Sequence, residues 1–166
     1  IYEIKNARYE NNYKNQIVVY DLNGTITNTI SYDNNPNLSL GALYKTNSGF
    51  LGFAYQNVDG TYKTIRFDNN FSILNIGSGI NRNFSKDYFT FKNTDGFTFI
   101  GGRNWPNYYG DFNRFDENGN VLYSNVSKGY YSNVLRNENG SFIQIGSYNS
   151  CNSIYDTENN HVSNFQ

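Results

Sequence analysis

The only tryptophan of the chain, Trp105, lies in a segment whose residue types suit the binding of a sugar. An aromatic ring can stack on the C–H face of a sugar, while neighbouring amides and carboxylates bond its hydroxyls. The alternative is that Trp105 packs between neighbouring repeats, with Pro106 stiffening the turn. The predicted ligand-binding residues are Asn104, Trp105, Asn107, Tyr108 and Asp111, extended by Tyr148 and Asn149 from the corresponding loop of the next repeat.

Acid–base catalysis finds little support in the distribution of the carboxylates. Hydrolysis of a glycosidic bond needs two carboxylates that face each other across a pocket. Most of the 14 Asp and Glu residues lie in predicted hairpin turns, where Asp caps the backbone. The exceptions nearest the predicted loop face are Asp33, Asp59, Asp87 and Asp111, and no spacing pairs them. We therefore predict no catalytic residues and no enzymatic activity.

Metal and cofactor sites are not indicated either. A zinc site needs three or four clustered nitrogen or sulfur ligands, and His161 and Cys151 are the only His and Cys. The segment 116–120 carries oxygen ligands at alternate positions, as a calcium loop does, but no bidentate acid follows it. We interpret this segment, and likewise 21–24, as a hairpin turn, and we predict no metal and no cofactor.

The composition favours an all-β protein and excludes several other classes. Of 166 residues, 18% are aromatic and only 16% are charged; by count, 31 are Asn and three are Ala. Few Ala and few charges argue against a helical protein, and abundant aromatics argue against disorder. A net charge of -1 gives no electrostatic footprint for nucleic acid. No apolar run reaches the roughly 18 residues of a membrane span.

Two landmarks recur along the chain with the same phase. Aromatic–Asp pairs occur at 20–21, 67–68, 115–116 and 155–156, and Gly turns precede the last three pairs at Gly49, Gly96 and Gly140. Between the landmarks the hydrophobic period is two, as in a strand with one buried face. We therefore predict four antiparallel strands per repeat, which in the best copy span 88–92, 97–101, 111–115 and 120–124. The dipeptides 95–96, 118–119 and 139–140 end in Gly and supply the positive φ of tight hairpins.

The segments 95–102 and 110–123 carry a resemblance to a known family. They resemble the degenerate blade repeats of bacterial secreted and surface β-propellers, in which an Asp-Gly strand leads to an Arg-aromatic-Asp strand and an Asn-Gly-Asn hairpin. Tyr123 stands where such repeats often carry Trp, and Asn69-Asn70 lacks the hairpin Gly. The family has no common reaction, so the resemblance implies architecture only.

The implied architecture is an all-β, propeller-like repeat of four-stranded antiparallel meanders. The repeats cover approximately 1–37, 38–85, 86–127 and 128–166, in a single domain or a fragment of a larger propeller. A closed four-bladed ring, an arc of a larger ring and a stack of hairpins, as in a fibre or tail protein, are the alternatives.

The first repeat is predicted to be incomplete. Alignment of its aromatic–Asp pair with that of the second repeat places Ile1 to Tyr9 on the second strand of the meander, so that the innermost strand is absent. Since Ile1 is not Met, we expect a processed chain or a piece of a longer one. We expect the resulting strand edge to be paired by another segment, by another copy of the chain or by residues outside this sequence.

Two functions follow as expectations. The first is a non-catalytic binding module, extracellular or on a cell or virion surface, whose partner is a glycan or a surface protein. The second is a structural or assembly protein such as a virion, tail or filament subunit. Both expectations include no nucleic-acid partner, no membrane span and possible self-association through an open blade edge.

Overall fold

The fold is known from a computed structural model of the chain. It describes residues 1–9, 12–32, 38–56, 58, 60–77, 88–104, 109–128, 131–136, 141–146, 152–155 and 161–165. Within these ranges every regular element is a β-strand and there is no helix, so the predicted all-β class is confirmed. It follows that the described part of the chain holds no helix long and apolar enough to cross a membrane.

The strands form four antiparallel sheets, and in each sheet the neighbours in sequence are also neighbours in space. Sheet A contains β1 (Tyr2–Tyr9), β2 (Asn12–Tyr20) and β3 (Ile26–Ser31). Sheet B contains β4 (Leu38–Lys45), β5 (Phe50–Gln56), β6 (Thr61–Phe67) and β7 (Ile73–Ile76). Sheet C contains β8 (Tyr88–Lys92), β9 (Phe97–Asn104), β10 (Tyr109–Phe115) and β11 (Val121–Lys128). Sheet D contains β12 (Tyr131–Arg136), β13 (Phe142–Gly146), β14 (Asn152–Tyr155) and β15 (His161–Phe165).

Contacts between residues divide the chain into two compact units. Residues 1–83 hold sheets A and B, and residues 84–166 hold sheets C and D. Three sheets are the four-stranded meanders that the sequence predicts, and the first has three strands, beginning with β1.

The repeat landmarks occupy equivalent places in the sheets. Phe67, Phe115 and Tyr155 are each the last residue of the third strand of a four-stranded sheet, which confirms their predicted equivalence. They pair with the first residues of the second strands, Phe50, Phe97 and Phe142. In sheet A the matching aromatic is Tyr20, whose N–H donates to the carbonyl of Ile1 at 2.9 Å. In all four sheets the register toward the outer strand shifts at this aromatic.

Strands of the best copy are longer than predicted. β9 continues to Asn104, β10 begins at Tyr109 and β11 continues to Lys128. These extensions lack the alternation of apolar side chains on which the prediction depended, and backbone pairing carries them instead. A register shift between Tyr109 and Asp111 lets the β9–β10 ladder continue. The connection between the two strands is therefore only 105–108.

The Gly turns have the predicted backbone requirement. Gly49 and Gly96 have φ values of 151° and 149°, a region that side chains rarely adopt. A Cβ atom on either glycine would also overlap a backbone carbonyl oxygen, that of Phe67 or Phe115 respectively. Glycine is thus needed here both for φ and for the close approach of the third strand. Gly140 lies outside the described residues.

The Asp turns share one hydrogen-bond pattern in sheets A, B and C. The Oδ1 atoms of Asp21, Asp68 and Asp116 each accept the backbone N–H groups of the residues two and four positions later. The Asp N–H in turn donates to the carbonyl of the residue four positions later, at 2.9 to 3.0 Å. Each carboxylate therefore caps a hairpin turn, as we interpreted 21–24 and 116–120.

Each unit has a cluster of buried apolar residues among its described side chains. The core of the first unit gathers Ile17 of sheet A with residues of sheet B such as Leu40, Phe50 and Phe67. In the second unit the rings of Phe112 and Phe142 stack, with centroids 5.4 Å apart and planes at 16°. All residues of 50–54 and of 97–100 are buried, so these parts of β5 and β9 are covered on both faces.

Asn15 and Tyr32 join sheet A to sheet B. The buried Asn15 donates its side-chain N–H to the backbone carbonyl of Leu38, where β4 begins, and the backbone carbonyl of Asn15 accepts the N–H of Tyr32 at 2.9 Å. The hydroxyl of Tyr32 donates to the carbonyl of Phe71 at 3.1 Å, and its ring lies 5.3 Å from that of Phe67. These bonds fix the two sheets of the first unit to each other.

Candidate functional site

The meander topology sets where the predicted loop face lies on each sheet. In an antiparallel meander the connection between the second and third strands is at one end, and the other two connections are at the opposite end. In sheet C the first kind of connection is 105–108 and in sheet D it is 147–151. The predicted site is therefore at the end of each sheet opposite to its Gly turn and Asp turn.

Two of the predicted site residues belong to described strands. Asn104 is the last residue of β9 and pairs with Tyr109, the first residue of β10. Asp111 lies farther along β10 and pairs with Gly101 on one side and Val126 on the other. The backbone thus brings Asn104 and Asp111 onto neighbouring strands at this end of sheet C.

The remaining predicted residues fall in the connections themselves. Trp105, Asn107, Tyr108, Tyr148 and Asn149 lie outside the described residues, so their grouping into one site stays a prediction. The described strands fix the ends of both connections. Tyr148 and Asn149 do belong to the connection between the second and third strands of sheet D, which is the position we assigned to them.

At the opposite end of sheet C the described charges pair with one another. The guanidinium of Arg114 contacts both carboxylate oxygens of Asp95 in the Gly turn at 2.6 Å. Lys92 lies 3.9 Å from the carboxylate of Glu117 in the Asp turn and 5.9 Å from the ring centroid of Phe97. These charges hold the turns in place, so we assign them a structural role.

Sheet B repeats this arrangement with different partners. Lys45, at the place of Lys92, bonds the side-chain oxygen of Asn69 and lies 4.5 Å from the ring centroid of Phe50. A cation above the first ring of the second strand is therefore a feature of both sheets.

Asp116 is the acid of sheet C whose ionisation the turn controls. Its partial burial raises the pKa. Hydrogen bonds from the Asn120 side chain and from the backbone N–H groups of the turn together lower the pKa by a larger amount. The net result is a pKa below the ordinary value of 3.8. The amide of Asn120 donates to Oδ2 at 2.8 Å. A carboxylate held in the charged form by its own turn is suited to capping rather than to proton transfer.

An open groove of about 430 Å³ between β3 and β7 was not predicted from the sequence. It is lined by Ile30, Ser31, Tyr32, Asn70, Phe71, Ser72, Ile73 and Ile76. Burial raises the pKa of Tyr32, and the negative charge of Asp68 raises it as a second, smaller cause. The hydroxyl of Tyr32 therefore remains a hydrogen-bond donor. The lining residues come from two repeats and share no motif, so no sequence signal indicates the groove. The described residues that line it include no carboxylate or imidazole.

Of the other residues singled out from the sequence, only one lies in a described strand. His161 begins β15 and pairs with Tyr155, whereas Cys151, Asp33, Asp59 and Asp87 lie outside the described residues. Within the described part of the chain, no group of three or more His, Cys, Asp or Glu could hold a metal ion.

Comparison of the chain with protein-family models, with curated proteins and with solved structures finds no match.

Proposed function

We propose that the chain is a non-catalytic binding module of an extracellular environment or of a cell or virion surface, and that it recognises a glycan through the loop face around Trp105. The observation that carries this proposal is the position of the connections 105–108 and 147–151 within their meanders. They lie opposite to the Gly and Asp turns, whose described carboxylates and cations serve turn structure.

The residue types in these connections determine the roles that we assign. Trp105 provides the plane on which a sugar ring stacks, since a large rigid aromatic gives contact area at low cost in conformational entropy. Asn104, Asn107 and Asp111 bond the hydroxyls, and Tyr108 extends the stacking surface. Tyr148 and Asn149 add a second set of contacts from sheet D. A surface protein that buries the same aromatic residues is the other partner that this composition suits.

A propeller-like arrangement of the sheets is part of the same proposal. Three meanders share one register of Phe and aromatic–Asp landmarks, as repeated blades do. The burial of residues 50–54 of β5 and 97–100 of β9 on both faces also fits sheets that are stacked face to face. In such an array the connections between second and third strands of successive blades share one face, which supplies the binding surface.

The decisive experiment is a glycan array with wild type and Trp105→Ala, run beside thermal melts. We expect the wild type to bind a defined set of sugars and the variant to lose about 2 kcal/mol or more of binding free energy, which is about thirtyfold in affinity. Trp105→Phe keeps an aromatic plane and should retain part of the binding. Leu22→Ala is the matched control, because Leu22 is 95% exposed in the Asp turn of sheet A. Asp turns lie at the end of a sheet that is opposite to the predicted binding face.

A different outcome would favour the packing role of Trp105. In that case Trp105→Ala should lose about 3 to 5 kcal/mol of folding free energy, as core aromatic truncations do, and the wild type should bind no sugar. Capture of a surface protein that Trp105→Ala fails to capture, with an empty glycan array, would replace the glycan by a protein partner.

A second candidate function, assembly into a larger structure, is favoured by the outer strands. Leu74 of β7 and Leu122 of β11 are each more than half exposed on strands that end their sheets. Exposed apolar edge strands are unusual in monomers, which normally protect such edges with charges or proline. Size-exclusion chromatography with light scattering separates the two candidates, since a structural subunit should grow into large open assemblies, whereas a binding module should elute as a monomer or as a closed dimer.

A further inference from the structure

In the part of the chain that the structure describes, strand β1 has one neighbour where its counterparts have two. In the four-stranded sheets, the strands β5, β9 and β13 each pair with a strand on both sides. β1 occupies their position in sheet A, since Ile1 lies opposite Tyr20 as Phe50 lies opposite Phe67. Within the described residues, β1 pairs with β2 alone. Among the described strands, none pairs with the other edge of β1.

The backbone groups along this edge are directed away from sheet A. Ile1 exchanges hydrogen bonds with Tyr20, through its amino group at 3.2 Å and its carbonyl at 2.9 Å. Because hydrogen-bonded and non-bonded pairs alternate in an antiparallel ladder, the N–H and C=O groups of Tyr2, Ile4 and Asn6 point to the opposite side. An extended backbone is the partner that satisfies such a row of donors and acceptors.

We propose that this partner is β1 of a second copy of the chain, paired antiparallel about a two-fold axis at Ile4. In this register Ile4 faces Ile4 of the second copy, and Tyr2 faces Asn6 of the second copy. The two outward sets of backbone groups then bond each other across the axis. The two three-stranded sheets become one continuous sheet with an isologous interface.

Charge selects this register from its neighbours. With Ile4 on the axis, Glu3 of each copy lies opposite Lys5 of the other, so two opposite-charge pairs form. With the axis one residue earlier or later along β1, Glu3 would face Glu3 or Lys5 would face Lys5, and like charges directly opposite destabilise a strand pair.

Glu3 and Lys5 already contact each other within one chain, but both side chains are exposed enough to face a second copy as well. Within one chain the ammonium of Lys5 lies 3.3 Å from the carboxylate of Glu3, and both side chains are about half exposed. Glu3 also accepts the hydroxyl of Tyr20, and this bond, together with Lys5, keeps the pKa of Glu3 below its ordinary value. In the dimer Glu3 and Lys5 of the two copies would alternate in sign on one face of the joined sheet. Tyr2 itself is 48% exposed.

Sedimentation velocity of the full chain over a range of concentrations tests the proposal. We expect wild type to shift from monomer to dimer as the concentration rises, and to dissociate as salt is added, because exposed ion pairs are screened. Glu3→Lys and Lys5→Glu should each remain monomeric, since each places like charges opposite each other. An equimolar mixture of the two variants should form a heterodimer, and the double variant carrying both changes should recover the homodimer.

Matched controls separate the interface from the fold. Tyr20→Phe removes the hydroxyl that bonds Glu3 while keeping every charge, so it should dimerise like wild type. Asn6→Pro deletes an N–H on the outer side of β1 and should abolish the dimer with little change in the melting temperature. If Glu3→Lys does not fold by circular dichroism, Lys5→Glu alone still tests the charge pairing.

Several outcomes would overturn the inference, whatever the glycan array shows. A wild-type chain that stays monomeric at the highest soluble concentration excludes the pairing. A dimer that persists in both single charge reversals, or a mixture that yields no heterodimer while wild type dimerises, places the interface elsewhere or in another register.

Discussion

The Asp turns after β6 and β10 share one backbone conformation, but different residues occupy the position that has a positive φ. In each, the third residue after Asp has a positive φ, 64° at Phe71 and 82° at Gly119. Gly119 adopts this conformation without a Cβ penalty, whereas a phenylalanine there is unusual. The difference lies in what the side chain contacts, since Phe71 is buried and Gly119 has no side chain to bury.

Phe71 offsets its backbone strain by packing into the core of the first unit. Its ring stacks on Phe50 with centroids 4.4 Å apart and meets the ring of Tyr2 edge-on at 5.5 Å. Its carbonyl also accepts the hydroxyl of Tyr32. A left-handed residue costs roughly 1 to 2 kcal/mol, and the burial of an aromatic ring can exceed that amount. One turn geometry can thus be specified either locally, by glycine, or by tertiary packing.

The largest effect is expected from truncation at this position. Phe71→Ala removes the ring but keeps the strain, and it should lower the free energy of unfolding by about 3 to 5 kcal/mol. Phe71→Gly removes both and should be about 1 kcal/mol more stable than Phe71→Ala. Urea denaturation of the three proteins measures both differences. Equal stability of the Ala and Gly variants would contradict the claim that Phe71 carries backbone strain.

A smaller effect is expected where glycine meets a neighbouring strand. Gly96→Ala should destabilise by about 2 to 3 kcal/mol, because the added methyl group overlaps the carbonyl oxygen of Phe115 and must displace backbone. At Gly24, φ is 81° and no atom lies within 4 Å of a built Cβ, so Gly24→Ala should cost only about 1 kcal/mol. Thermal or urea unfolding that ranks Gly24→Ala as the more damaging change would contradict this order.

The carboxylate caps allow a closer comparison of sheets B and C. Asp116→Ala leaves the N–H groups of Asn118 and Asn120 without their acceptor and should cost about 1 kcal/mol, as the loss of a helix cap does. Asp68→Ala should cost more, because its turn also holds Phe71 in the core. The corresponding Asn variants keep an Oδ1 acceptor and should lose less. Similar losses for Asp68→Ala and Asp116→Ala would show that the turn contributes nothing to the seating of Phe71.

The sequence predicts the parts of the fold that have local chemical signals. Gly49, Gly96 and the Asp turns were identified because their conformations require particular residue types. The third-strand aromatics were placed correctly because their phase recurs along the chain. Phe71 could not be predicted at a positive φ, since its conformation depends on rings that are distant in sequence. Strand ends such as Asn104 were missed because no side-chain alternation marks them.

The candidate site could be predicted only in its position on the sheet. Asp111 was predicted to begin the third strand and does lie in β10, whereas Asn104 was assigned to the connection and instead ends β9. The groove beside Tyr32 arises where two repeats meet and has no linear motif. The hydrogen bond from Asn15 to the carbonyl of Leu38 has no linear motif either. In the sequence this buried Asn looks like any other Asn of a chain that contains 31 of them.

The smallest expected effect concerns acid stability and the residue that follows the turn. In sheet C, Asn120 donates to Oδ2 of Asp116, while the same position in sheet B is Ser72. Because the pKa of Asp116 is lowered in the folded state, its contribution to stability is fully present above the pKa of the unfolded chain. That contribution is lost as the pH falls through the lower, folded value.

Asn120→Ser should raise the folded pKa of Asp116 toward its ordinary value and so reduce the acid-dependent part of the stability. A carboxyl titration by NMR in both proteins measures this, and an unchanged pKa would mean that the backbone bonds of the turn, common to sheets B and C, account for the whole depression.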